Sequence, residues 1–320
     1  MNKKFILIIT GIMVIFIVAI LYLNINKNDE NGGNIVNIER TGWAKDIPSN
    51  YKTNAKEQGK LEKVEYSSID YTNNNEITKE AIVYLPFGYD ENKKYNIYYL
   101  MHGWTGYAGD FFQYSNLKNI LDNMIENKDI EPLIVVAATF DAENIGQDWG
   151  RSVEELRVFY KDFENHLMPY IESHYSSYAK GVGDNDLVSS RNHRAFGGFS
   201  LGGVTTWSMF EHSLKYIKYY LPMSGDSWCI ETFGGLYEPV KTVDYLENVV
   251  KQNRDYDFFV YSALGTRDAR YEQVNNQMVE MLKRDIFKDN FVYYQVKGAY
   301  HDMNATDIDM YNGLQTFFQN

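Results

Sequence analysis

A single cysteine, Cys229, stands in the 320 residues, which excludes an intramolecular disulfide, a thiolate zinc cluster and a paired redox thiol. Positive charge is also short. The 31 Lys and Arg face 43 Asp and Glu, a formal charge of −12, and such a surface is poorly suited to neutralising a phosphate backbone, so no nucleic acid is expected as a partner. Long apolar runs are missing too, except for one at the N-terminus, and no internal repeat or low-complexity tract interrupts the chain. What is present, 44% apolar and 23% charged residues, describes a globular chain rather than a disordered or fibrous one. Aromatic residues reach 16%, with 27 Tyr and 5 Trp. That abundance suits a flat or sugar-like ligand and equally suits a large core.

The one long apolar run extends from Phe5 to Leu23 without a charge and follows Lys3 and Lys4. At about 1.5 Å per residue it approaches the roughly 30 Å of a bilayer core. Two readings compete, a cleaved signal peptide and an uncleaved anchor. The length of the run and its Tyr22-Leu23-Asn24 end favour the anchor, and no cysteine follows to carry a lipid. On either reading residues 1–4 form a cytoplasmic tip and everything after Leu23 lies outside, on the extracellular face of the membrane or secreted. Residues 24–42, rich in Asn, Asp, Glu and Gly, read as a flexible linker. Residues 43–320 then form one domain.

Within that domain, residues 63–71, 80–87 and 95–101 alternate or run apolar between Asn-rich turns, as in an antiparallel start. The pattern then changes to short continuous apolar runs at 133–139, 194–199, 217–223, 257–264 and 291–297, which is how strands buried on both faces read. Helical spacing lies between them at 117–125, 202–214, 270–286 and 307–319. Another helix is expected over 152–174, opened by Ser152 and Glu155 as a capping box. The sum is an α/β domain with about eight strands in a mostly parallel sheet and helices on both faces.

The sheet predicts where chemistry sits. Gly198-Phe199-Ser200-Leu201-Gly202 lies between a strand pattern and a helix pattern, the setting of a nucleophile elbow. A serine on so sharp a turn needs glycines around it, because side chains there would collide. Ser200 is therefore the candidate nucleophile, and it requires a base. Of the six histidines, His301 follows the last strand across Gly298-Ala299-Tyr300, where a loop brings an imidazole over Ser200. His193 lies at the far end of the elbow strand, while His166, His174 and His212 fall on helices and His102 in an earlier loop. The orienting acid should follow Ser200, precede His301 and end a strand. Asp268 meets these conditions, with Asp226 as its rival. The oxyanion donors are expected to be the N–H of Leu201 and that of Trp104 in the loop opened by His102-Gly103. No cofactor and no metal is required, since Asp184-Asn185-Asp186 and Asp307-Ile308-Asp309 lack the spacing of a calcium loop and read as a turn and a helix start.

Leu100 to Gly106, Glu131 to Val136, Arg194 to Gly203 and Met223-Ser224-Gly225-Asp226-Ser227-Trp228 together resemble the feruloyl esterase domains of clostridial cellulosomal xylanases, in carbohydrate esterase family 1. The resemblance runs over about residues 60–320 and implies an α/β-hydrolase fold. It implies Ser200 as nucleophile, Asp268 as acid, His301 as base, and a pocket for an aromatic acid lined by Trp228 with Asp226 beside it. The expected activity is a serine esterase that releases ferulic or related hydroxycinnamic acids from plant cell-wall polysaccharide. Its substrate would be a feruloylated or acetylated polysaccharide or oligosaccharide, with the membrane as a second partner through residues 5–23. An acetyl xylan esterase, an acyltransferase with the same triad and a non-catalytic glycan-binding module are the other readings. The N-terminal apolar segment departs from the familiar members of the family.

Overall fold

The computed structural model describes residues 40–141 and 148–319. The apolar run at 5–23 and nearly all of the expected linker lie outside the described residues, and among the described residues no helix is long and apolar enough to cross a membrane.

Nine strands make one sheet: β1 (Thr41–Trp43), β2 (Lys60–Asp70), β3 (Asn75–Leu85), β4 (Asn96–Met101), β5 (Leu133–Ala138), β6 (Arg194–Phe199), β7 (Tyr219–Met223), β8 (Phe259–Gly265) and β9 (Phe291–Val296). Their order across the sheet is β1-β9-β8-β7-β6-β4-β5-β3-β2. β2 pairs antiparallel with β3, and β3 antiparallel with β5, while all the other neighbours are parallel. The antiparallel start and the parallel remainder follow the change of apolar pattern in the sequence. β1 is the addition. It pairs in parallel with β9 through Thr41 to Trp43, so ordered pairing begins inside the stretch expected to be linker; three residues carry too little pattern to be read as a strand.

The principal helices are α1 (Leu117–Glu126), α2 (Trp149–Asp162), α3 (Met168–His174), α4 (Leu201–His212), α5 (Pro239–Gln252), α6 (Tyr271–Leu282) and α7 (Met303–Leu314). Besides Asp184-Asn185-Asp186, which opens a short helix at Asp184–Ser189 rather than forming a turn, three expectations need correction. The helix expected over 152–174 begins at Trp149, with Asp148 as its cap, accepting from the Arg151 N–H at 3.2 Å. Ser152 is an interior residue whose hydroxyl donates to Asp141 at 3.4 Å, so the capping box does not form. A π-helical turn at Phe163–Leu167 then separates α2 from α3, just before Pro169. Thirdly, α7 opens at Met303 under an Asp302 cap that accepts from the Ala305 N–H at 3.0 Å, so Asp307 and Asp309 lie inside the helix rather than at its start. Helix α5, absent from the sequence reading, is amphipathic, with Val243, Leu246 and Val249 inward.

α7 covers one face of the sheet, where a Cβ on Gly313 would press within 2.8 Å of Leu221. Beneath this helix is an ionisable group that the packing isolates. Asp309 is fully buried, and neither of its carboxylate oxygens meets a donor among the described residues. Burial, with the Asp268 charge adding to it, holds the Asp309 carboxyl well above its ordinary range. An acid whose folded pKa is raised takes up a proton on folding, so its cost is absent below the unfolded value, about 4, and grows as pH rises toward the folded one. Asp309→Asn is therefore expected to flatten the fall of Tm with rising pH and to raise Tm at pH 9 by at least about 2 °C relative to the parent. Thermal unfolding at pH 5, 7 and 9 checks this, and parallel Tm curves for the two chains would refute it.

Candidate active site

Ser200 sits between β6 and α4 with φ 59° and ψ −114°, a left-handed conformation costly for any residue but glycine. The surroundings hold it there. Its N–H donates to the Met223 carbonyl and its carbonyl accepts from the Val204 N–H, both at 3.0 Å. A Cβ on Gly198 would come within 2.6 Å of the Gly202 backbone, and one on Gly202 within 2.1 Å of the Met101 carbonyl oxygen. Any larger residue at either position would push strand, helix and the β4 loop apart, so these two glycines make the elbow possible.

His301 and Asp268 meet at the carboxyl edge of the same sheet. Nδ1 of His301 lies 2.9 Å from each carboxylate oxygen of Asp268, so this nitrogen carries the proton and donates it, leaving Nε2 as the acceptor. The imidazole packs against Phe199, the residue before the elbow serine, with ring centroids 4.4 Å apart. Among the described residues the Ser200 hydroxyl has no hydrogen-bond partner, a gap that substrate commonly closes in sites of this kind. Burial works against the charge of Asp268, but the His301 hydrogen bond and charge, the Arg270 N–H at 2.6 Å and the neighbouring Ser224 outweigh it and hold the carboxyl below its usual range.

Leu201, as the first residue of α4, has an N–H with no acceptor inside the helix. The loop after β4 crosses directly over the elbow, since a Cβ on Gly103 would lie 3.2 Å from that of Ser200. His102 fixes this loop. Its Nδ1–H donates to the Gly103 carbonyl and its Nε2 accepts from the Thr139 hydroxyl, each at 2.7 Å. Burial lowers the imidazole to about 4 and so keeps it neutral. Across the planar trans peptide, the Trp104 N–H must point away from the carbonyl that His102 holds. The sequence marked His102 only as part of a loop; its neighbours Gly103 and Thr139 are what give it this part.

The rival acid has another place. Asp226 is fully buried, and its oxygens accept from Trp228 Nε1 at 3.1 Å, Arg270 Nη2 at 2.8 Å and the Gly235 N–H at 3.0 Å. These three donors fill its oxygens and none of them is His301; from there Asp226 braces Trp228 and Arg270. Trp228, expected to line the pocket, is only 3% exposed. It forms the floor of an aromatic cluster, 5.9 Å from Trp149 and 5.0 Å from Phe233. The accessible rings are Trp104 and Trp149, 42% and 37% exposed and edge-to-face at 5.1 Å. Phe233 and Arg270 were not anticipated, because both act through contacts distant in sequence: the Arg270 guanidinium lies over Trp228 and Phe233 at 5.5 and 5.7 Å while pairing with Asp226. Among the described residues no group of three His, Cys, Asp or Glu is placed to hold a metal.

Comparison with known proteins gives the site its context. The family model described as "Putative esterase" matches residues 74–308. Endo-1,4-beta-xylanase Y of Acetivibrio thermocellus is 34% identical over 302 residues, which are 90% of this chain and 26% of that protein. The chain thus spans about a quarter of the length of the curated relative it matches. The solved feruloyl esterase module from Clostridium thermocellum, complexed with sinapinate, is 33% identical, with 88% of this chain and 95% of the module covered and a TM-score of 0.77. The ferulic acid esterase of the anaerobic fungus Anaeromyces mucronatus, at 24% identity, shares the fold, with a TM-score of 0.64 over 85% of this chain and 96% of the other.

Proposed function

Because the chain belongs to the esterase family whose model spans residues 74–308, we propose that it is a serine carboxylic-ester hydrolase that releases ferulic or a related hydroxycinnamic acid from plant cell-wall polysaccharide. The observation that carries the reading is the His301–Asp268 hydrogen bond at the sheet edge beside a serine held at φ 59°. The acyl preference is supported by the solved feruloyl esterase module complexed with sinapinate and by the accessible Trp104 and Trp149 rings, whose perpendicular faces make an apolar corner against which an aromatic ring can lie.

In the proposed reaction His301 Nε2 takes the proton of the Ser200 hydroxyl as Oγ bonds to the ester carbonyl carbon. The N–H groups of Leu201 and Trp104 hold the resulting oxyanion. As the tetrahedral intermediate collapses, the C–O bond to the sugar breaks, and the sugar oxygen leaves with the proton from His301. Water, deprotonated by the same nitrogen, then attacks the acyl-enzyme and frees the acid and Ser200. Asp268 accepts from Nδ1–H throughout, which fixes the tautomer and stabilises the imidazolium. Residues 5–23 anchor this esterase on the outer face of the membrane, on the strength of their length and the preceding lysines.

One experiment addresses substrate and place together. When the full chain is expressed with its N-terminal segment, activity is expected to pellet with carbonate-washed membranes and to favour methyl ferulate over p-nitrophenyl acetate in kcat/KM. A preference for the acetate would replace the aromatic acyl group by a small one, and activity free in the medium would replace the anchor by a cleaved leader.

A further inference from the structure

An ester has two sides, and the sheet order separates what lies on either side of Ser200. The serine leaves β6. Trp104 follows the neighbouring β4, and Trp149 follows β5, one strand further on. In the opposite direction, past β7, Arg267 follows β8 and Tyr300 follows β9. β8 and β9 are the second and third strands from β6 on this side, and His301, the residue after Tyr300, packs on Phe199 next to the serine, so the loops after these strands reach back to where a sugar esterified at Ser200 would lie. Trp228 and Phe233 follow β7, but their rings pack toward Trp149, at 5.9 and 6.3 Å, so the aromatic cluster belongs to the Trp104 side.

The β8–β9 edge carries an exposed pair. Tyr300 is 54% exposed, and Arg267 Nη1 donates to its hydroxyl at 2.9 Å, with the guanidinium 5.6 Å from the ring centroid. Each residue directly precedes a member of the proposed triad, Arg267 before Asp268 and Tyr300 before His301. The loops beneath are stitched together. The Gly298 N–H donates to the Thr266 hydroxyl at 2.8 Å, and the Arg267 N–H donates to the Ala299 carbonyl at 2.9 Å. A Cβ on Gly265 would press within 2.5 Å of that same carbonyl oxygen. An exposed ring and a cation held so firmly lose little freedom when a ligand arrives.

We propose that Tyr300 and Arg267 form the subsite for the sugar whose hydroxyl is esterified, the ring taking the C–H face of a neutral pentose or hexose and the guanidinium donating to its hydroxyls. The inference rests on the esterase reading above. Arg267 has five N–H donors and spends one on Tyr300, which leaves several for ligand oxygens. The neutral sugar needs such donors, and its axial hydrogens match an aromatic face.

The test compares kcat/KM for a feruloylated arabinoxylo-oligosaccharide with that for methyl ferulate, which lacks the sugar, on the purified full chain. For Tyr300→Ala the ratio of the two is expected to fall about tenfold, for Arg267→Ala severalfold, and Tyr300→Phe should keep most of it because the ring remains. If both substrates lose equally in Tyr300→Ala and in Arg267→Ala, the pair only supports the His301 loop and the subsite is wrong. A parent chain that cleaves neither ester refutes the esterase reading and the subsite with it.

Discussion

Ser200→Ala is expected to lower kcat for methyl ferulate by about 10⁴-fold or more while leaving Tm close to that of the parent. The loss follows from chemistry that no neighbour can replace. Thr205 and Thr206, the next hydroxyls along α4, are fully buried and donate to the carbonyls of Leu201 and Gly202 at 2.9 and 2.8 Å. Ser224 and Ser227 are buried as well. Without Oγ, what survives is the binding of the ester and the oxyanion donors, worth about 10³ to 10⁴-fold over the uncatalysed attack of water and far short of the intact triad. Stability should hold because alanine keeps the Cβ, so the strained φ of 59° and the hydrogen bonds of the elbow backbone are unchanged. Steady-state kinetics with both chains at matched concentration decides the matter; activity within tenfold of the parent would remove Ser200 as the nucleophile.

The elbow was legible in the sequence because its requirements are local. Gly198 and Gly202 flank Ser200 at fixed offsets, and both are needed within a few ångströms of the serine. The strands were legible for a similar reason, since residues buried on both faces of a parallel sheet read as apolar runs at β5 to β9. What stayed hidden depends on contacts made across the chain. Nothing near Asp226 announces that Arg270, 44 residues away, will take its carboxylate, so chain order and strand position had to favour Asp268 over it without that contact. The depth of Trp228 was hidden in the same way: a tryptophan's depth is set by what packs over it, here Trp149 and Phe233. The start of α2 was lost to a closer competitor, because Asp148 reaches the Arg151 N–H before Ser152 can act as a cap.

Asp268→Asn should cost about 10³ to 10⁴ in kcat with a much smaller change in KM, and it tests the acid that chain order and strand position favour over Asp226. An asparagine at 268 retains the shape of the side chain but offers an NH₂ where a carboxylate oxygen stood. His301 is then free to turn, or to move its proton to Nε2, and the nitrogen that should accept the serine proton is no longer held as the acceptor. The imidazolium formed during attack also loses its anion. Stability adds an independent readout through the sign of the pKa shift. Asp268 is held below its usual range, so the folded state favours its charged form; that contribution is present above the ordinary carboxylate pKa, about 4, and disappears as pH falls through the lower folded value. The variant should therefore be less stable than the parent at pH 7, and the gap should close toward pH 3. Asp226→Asn, which disturbs Arg270 and Trp228 instead, should weaken substrate binding before it alters kcat. If Asp226→Asn abolished turnover while Asp268→Asn kept it, the orienting acid would have to be assigned to β7 rather than β8.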